Sequence, residues 1–166
     1  EYFAWYKIDI VRKQVHAPVS RLLEYGCGIG RNIKFLQQAF PNAVIVGSDI
    51  SRGSLEIARR DNVGVEFVQE DENMEPVGLF DVILVAGVFH HVPIEQRVAV
   101  ARSIFKRLSS TGLLFIFEHN PFNPVTRRIV SNCPYDEDVV LLTLIELQNI
   151  LDQAALSIEC KAYCLF

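Results

Sequence analysis

The chain has 166 residues, half of them hydrophobic, which is enough for one domain with a real core. A net charge of −4 and the lack of a dense Lys/Arg block argue against nucleic acid as a partner, since such proteins usually carry a basic face. No apolar run approaches the roughly 18 residues of a membrane span.

Residues 1–17 carry Phe3, Trp5, Tyr6, Ile8, Ile10 and Val11, and predict an N-terminal helical segment lying over the fold as a lid. Arg21–Tyr25 reads as the first strand, followed by the glycine-rich Gly26-Cys27-Gly28-Ile29-Gly30. Ile33, Leu36 and Phe40 fall on one helical face. Ala43–Ser48 is the second strand, and Ser51 is a candidate N-cap for a helix that carries Leu55 and Ala58 inward. Val65–Gln69 and Phe80–Ala86 are the third and fourth strands, the latter followed by His90 and His91. Val98, Ala101, Phe105 and Leu108 share a helical face, and Gly112–Glu118 is the fifth strand after a turn at Gly112. Residues 120–138, with Pro121, Pro124 and Pro134, read as one long irregular loop, a place where function often sits. Leu144, Leu147, Leu151 and Ala154 mark a last helix, and Ile158–Phe166 a sixth strand with Cys160 and Cys164 on one face.

Most of the strands are continuous apolar runs, as strands covered on both faces are. Their alternation with helices predicts an α/β fold: a doubly wound, mostly parallel sheet with helices on both faces. No linker divides it, so residues 1–166 read as a single domain. Cys27, Cys133, Cys160 and Cys164 form no CxxC pair, and free thiols in a reducing, cytoplasmic setting are the expectation. The chain opens on Glu1 rather than Met and stops at Phe166 inside an apolar run, which reads as a piece of a longer protein.

Three alternating glycines straight after a strand form a nucleotide-binding turn, because glycine lets the backbone turn sharply and approach a ligand. Their spacing is G-x-G-x-G. The dinucleotide fingerprint G-x-G-x-x-G needs a small residue where Arg31 stands, which weakens an NAD or FAD reading, and no Gly-Lys-Ser/Thr follows to make a P-loop. Glu24 precedes the turn. Asp49 ends the second strand, where a carboxylate can accept from both ribose hydroxyls. Asp71 closes the third strand, where a carboxylate can accept from an adenine amine.

This set resembles the class I S-adenosylmethionine-dependent methyltransferases over nearly the whole chain. Glu24-Tyr25-Gly26-Cys27-Gly28-Ile29-Gly30 is similar to that family's first motif, Gly47-Ser48-Asp49-Ile50-Ser51 to its ribose motif, and Phe80-Asp81-Val82-Ile83-Leu84-Val85-Ala86 to its fourth-strand motif. The stretch from Leu108 to Phe117 resembles its following helix-turn-strand. The resemblance implies a Rossmann-like fold, S-adenosylmethionine as cofactor and S-adenosylhomocysteine as product. It also implies roles. Gly26, Gly28 and Gly30 would form the cofactor turn, with Glu24 orienting the amino group. Asp49 would hold the ribose and Ile50 pack on the adenine. Asp71, Glu72 and Asn73 would read the adenine edge, and Ala86 and Gly87 would lie under the sulfonium. The family's sheet ends in a seventh, antiparallel strand. The chain stops before it, so that strand is expected to be missing here.

Methyl transfer to a hydroxyl or a protonated amine benefits from a general base. His91 and His119 are the candidate catalytic residues, with His90 as His91's neighbour, and Arg127, Arg128 and Tyr135 as candidate acceptor contacts. Extended backbone would send His90 and His91 in divergent directions, and no His pair stands four apart, so no metal is expected. The leading expectation is a methyltransferase acting on a small-molecule oxygen or nitrogen nucleophile, with no assignment of oligomeric state. The alternatives are an NAD-dependent oxidoreductase and a non-catalytic S-adenosylmethionine-binding scaffold.

Overall fold

The computed structural model describes residues 2–71, 78–133 and 139–164. They divide into two compact units, Glu1–Ala86 with Arg107–Ile116, and Gly87–Lys106 with Phe117–Phe166.

The first unit runs α1 (Tyr2–Gln14), β1 (Arg21–Tyr25), α2 (Ile33–Ala39), β2 (Val44–Asp49), α3 (Arg52–Asp61), β3 (Glu66–Gln69) and β4 (Phe80–Ala86), and holds most of β5 (Leu108–Phe117). The sheet order is β3-β2-β1-β4-β5. β1 pairs parallel with both β2 and β4, and β2 parallel with β3, with Leu23 opposite Val46 on one side and Ile83 on the other. Leu22, Leu23, Val82, Ile83, Leu84 and Val85 are buried almost completely, so β1 and β4 are read correctly from their apolar runs. The direction of winding changes at β1, between β2 and β4, and the crevice at the carboxyl ends beside such a switch point is where this topology takes ligands. α1 packs on α2 and buries Ile8 and Val11. Ser51 caps α3, its side chain accepting from the Ser54 N–H at 3.2 Å.

β5 begins four residues before the predicted turn. The Arg107 carbonyl accepts from the Phe80 N–H at 2.8 Å, and Ser109 reaches the Asp81 carboxylate at 3.4 Å, so the chain joins β4 at once. Gly112 therefore lies inside the strand, where a Cβ would stand 2.8 Å from the Phe80 carbonyl oxygen.

The second unit holds two 3-10 turns, Phe89–His91 and Ile94–Gln96, then α4 (Arg97–Lys106), α5 (Pro124–Ser131) and α6 (Leu144–Gln153). α4 ends at Lys106, so Leu108 is not on it, and its buried residues are Arg97, Ala101 and Ile104 while Phe105 is exposed. Arg97 can be buried because its guanidinium donates to the Val92 and Val140 carbonyls at 3.0 and 2.7 Å. The predicted irregular loop contains α5. Asn123 caps it, accepting from the Val125 and Thr126 N–H groups, and Pro124 occupies the first turn, where its missing N–H is harmless. α6 opens on a reciprocal capping box between Thr143 and Glu146. Its buried residues are Ile150 and Leu151, whereas Leu144 is exposed.

The predicted sixth strand does not form: residues 158–164 are irregular and largely exposed. Strand propensity yields a strand only where a partner ladder takes up the backbone groups, and no described strand pairs with this segment. Among the described residues the sheet has five strands.

Candidate functional site

The turn after β1 has Gly26, Gly28 and Gly30 at φ 71, 54 and 75°, in the left-handed region that favours glycine. Two of these glycines serve different ends. At Gly28 a Cβ would meet nothing within 4 Å, so the backbone there faces open space. At Gly30 a Cβ would stand 2.7 Å from Asn62 Nδ2 and 3.3 Å from Ala58 Cβ, so this glycine lets the loop pack on α3. Gly30→Ala is expected to destabilise the protein by about 1–3 kcal/mol, combining left-handed strain with that clash. Gly28→Ala carries the strain alone and is expected to cost less. Urea unfolding of the two variants checks the order.

Glu24 on β1 is buried, and one carboxylate oxygen accepts from the Asn32 side-chain amide. Its other oxygen, Oε2, is buried and has no hydrogen-bond partner. Burial pushes this carboxyl up to about 7, against the pull of Asn32 and Lys7, with Asp49 adding to the rise. Asp49, at the end of β2, accepts from the Gly28 N–H at 2.7 Å and the Ser51 N–H at 2.8 Å, one on each oxygen. It thereby ties the glycine turn to β2 and leaves each oxygen a further lone pair. Ile50 beside it is 76 % exposed. Asp71, exposed, follows β3 and adjoins Glu70, whose N–H donates to the Asp49 carbonyl at 2.9 Å. Glu24, Gly28, Asp49 and Asp71 thus share the carboxyl edge of one sheet. Ala86 ends β4, and Gly87 opens the second unit. Glu72 and Asn73 lie outside the described residues.

Burial, with Glu24 and Asp49 nearby, also pushes the Cys27 thiol up, so it stays protonated and unreactive. Asn32 escaped the sequence reading. An asparagine just before a helix reads as a cap, but this one makes no cap bond and turns its amide to Glu24.

In the second unit the Glu118 carboxylate accepts from the Val88 and Phe89 N–H groups at 3.0 and 2.7 Å and lies 2.7 Å from His90 Nδ1. Both side chains of this pair are buried. A carboxylate with two N–H donors acts as acceptor, so His90 donates to it from Nδ1. The expected divergence of His90 and His91 does not hold. The chain coils into a 3-10 turn there, and the ring centroids are 4.2 Å apart, with His119 5.1 Å from His90. His91 and His119 are exposed, as are Arg127 and Arg128 on α5, while Tyr135 lies outside the described residues. Glu118 was visible only as the start of Glu118-His119-Asn120.

No helix among the described residues is long and apolar enough to cross a membrane. Residues 22–112, more than half of the chain, match the model of a family described as "Methyltransferase domain". The chain is 34 % identical over 136 residues to a trans-aconitate 2-methyltransferase of Methylobacterium nodulans, covering 76 % of this chain and 50 % of that protein. It is also 34 % identical over 97 residues to a malonyl-[acyl-carrier protein] O-methyltransferase of Bacillus anthracis, covering 57 % and 35 %. The chain therefore spans half or less of the length of these relatives. Among solved structures, mitomycin 7-O-methyltransferase MmcR superposes with a TM-score of 0.78 at 17 % identity, covering 95 % of this chain and 49 % of that one. The plantazolicin methyltransferase BpumL, in complex with SAH, superposes with a TM-score of 0.62 at 20 % identity, covering 94 % and 58 %. These likenesses give the fold, that of Rossmann-like methyltransferases, and the family model gives the kinship: the chain belongs to the methyltransferase-domain family.

Proposed function

We propose that the glycine turn and its flanking carboxylates bind S-adenosylmethionine, and that the protein transfers the methyl group to a small-molecule nucleophile. The observation that carries the reading is Glu24: a buried carboxylate with one oxygen unpartnered, next to a turn whose Gly28 backbone faces open space. A buried acceptor without a donor is costly unless a ligand supplies one, and the cofactor's ammonium is a donor of the right charge.

The bound cofactor supplies an electrophilic methyl on a sulfonium, open to in-line displacement. The chain's own groups do the rest. Gly26 and Gly28 let the backbone approach the ligand, and Glu24 holds its ammonium. Asp49 accepts from the ribose hydroxyls with the lone pairs that Gly28 and Ser51 leave free. Exposed Ile50 packs on the adenine, Asp71 accepts from its amine, and Ala86 underlies the sulfonium. In the second unit His91 and His119 are the exposed imidazoles proposed to take a proton from the acceptor. The relative named trans-aconitate 2-methyltransferase supports a small acceptor, and the one named malonyl-[acyl-carrier protein] O-methyltransferase supports reaction through oxygen. The free thiols fit a reducing, cytoplasmic setting.

Titration calorimetry with S-adenosylhomocysteine tests the reading. The wild type is expected to bind, with a matching rise in Tm. Asp49→Ala is expected to bind more than tenfold more weakly. No binding by the wild type at millimolar ligand would reject the cofactor, and unchanged affinity in Asp49→Ala would reject its ribose role.

A further inference from the structure

Helix α1 is amphipathic in an unusual way. Its inward residues Ile8 and Val11 are buried, with Val15 just beyond its end. Lys7 stands one turn before Val11 and so shares that stripe, half-buried. A lysine on an inward stripe is normally replaced by an apolar residue or given a partner, because burial disfavours its charge. Lys7 makes no direct salt bridge among the described residues, yet it lies within electrostatic reach of Glu24. The placement follows from the packing: α1 rests on α2, and Asn32, directly before α2, holds Glu24. A half-buried ammonium and a buried carboxylate with an open oxygen thus lie within electrostatic reach of each other with no hydrogen bond between them.

Such a pair of opposite charges suits a group carrying both charges on one carbon. We propose that Lys7 binds the α-carboxylate of the cofactor's amino-acid moiety while Glu24 takes its ammonium, which makes α1 part of the cofactor site. The inference rests on the cofactor reading above and adds to it a residue outside the glycine, ribose and adenine motifs. It also gives the N-terminal helix a definite role: the bound zwitterion ties α1 to β1.

The test compares S-adenosylhomocysteine with its decarboxylated analogue, in which an aminopropyl thioether replaces the amino-acid chain. Affinities are measured by calorimetry for the wild type, Lys7→Met and Lys7→Arg. Methionine keeps the apolar stem of the lysine and so preserves the packing of α1. Lys7→Met is expected to lose about tenfold in affinity for S-adenosylhomocysteine and less than twofold for the analogue, because only the first ligand has a carboxylate to lose. Lys7→Arg is expected to restore most of the difference. Equal losses for both ligands would mean that Lys7 only neutralises Glu24, and no loss for either would place it outside the site; both results overturn the proposal. Should Lys7→Met fail to fold, the wild type still decides: equal affinity for the two ligands would overturn the carboxylate contact. Failure of the wild type to bind S-adenosylhomocysteine would instead overturn the cofactor reading.

Discussion

Glu24→Gln is expected to stabilise the ligand-free protein and to weaken its binding of S-adenosylhomocysteine. The Glu24 carboxyl is held at about 7 in the folded chain, against an ordinary value of 4.5. Below pH 4.5 it is protonated in both states and contributes nothing. As pH rises from 4.5 towards 7 the unfolded chain ionises while the folded chain keeps its proton, so stability falls; above 7 the loss is complete and constant. The upward shift corresponds to about 3 kcal/mol at pH 8. Glutamine avoids this penalty and can still accept from Asn32, so at pH 8 the variant is expected to gain about 2–3 kcal/mol and to lack the wild type's slope between pH 5 and 7. Urea unfolding across that range measures both.

Binding is expected to move the other way. The carboxylate must shed its proton to pair with an ammonium, so wild-type affinity is expected to rise with pH up to about 7 and then level. Glu24→Gln is expected to be flat over the same range and at least tenfold weaker at pH 8. Calorimetry in buffers of different ionisation enthalpy should show proton release by the wild type at pH 6 and none by the variant. An unchanged affinity would remove Glu24 from the ammonium role. A less stable variant would show that Lys7 and Asn32 outweigh the burial of the charge.

The second large effect is expected at Arg107. Its guanidinium forms a bidentate pair with Glu70, at 2.5 and 2.7 Å, with both side chains buried. The ring of Tyr25 lies 5.7 Å from the same guanidinium. Arg107→Met leaves the Glu70 carboxylate buried without its partner and is expected to destabilise by about 3–5 kcal/mol. Adding Glu70→Leu removes the stranded charge, and the double variant is expected to recover most of that loss. Urea unfolding of the two single variants and the double variant closes the cycle. If Arg107→Met and the double variant are equally unstable, packing around the guanidinium, and not the ion pair, is what Arg107 provides.

How much of this was legible beforehand depended on the range of the interaction. β1 and β4 are correctly bounded in the sequence because each is a short apolar run closed by a glycine or a polar group. The Ser51 cap was legible because the groups it joins are three residues apart. Asn123-Pro124 carried an equally local signal for α5, and the three prolines of residues 120–138 hid it. The early start of β5 was not legible, since it depends on contacts between residues 107–109 and the start of β4. That the described residues 158–164 form no strand depended on a ladder partner that no local pattern reports.

The candidate site divides along the same line. The glycine spacing, the acids at or just past the ends of β1, β2 and β3, and the family they belong to were set by the sequence itself. Strand-turn-helix geometry at one sheet edge places such residues together whatever the rest of the chain does. The tertiary structure decided which polar groups meet: Glu24 with Asn32, Glu70 with Arg107 and Glu118 with His90, the last two pairs 37 and 28 residues apart. It also decided that Gly28 faces open space while Gly30 faces α3, and that Lys7 turns inward. The physical reason is common to all of them. A polar group's energy depends on its burial and on the partner it finds there, and both are set by how segments pack together and not by the local pattern of residues.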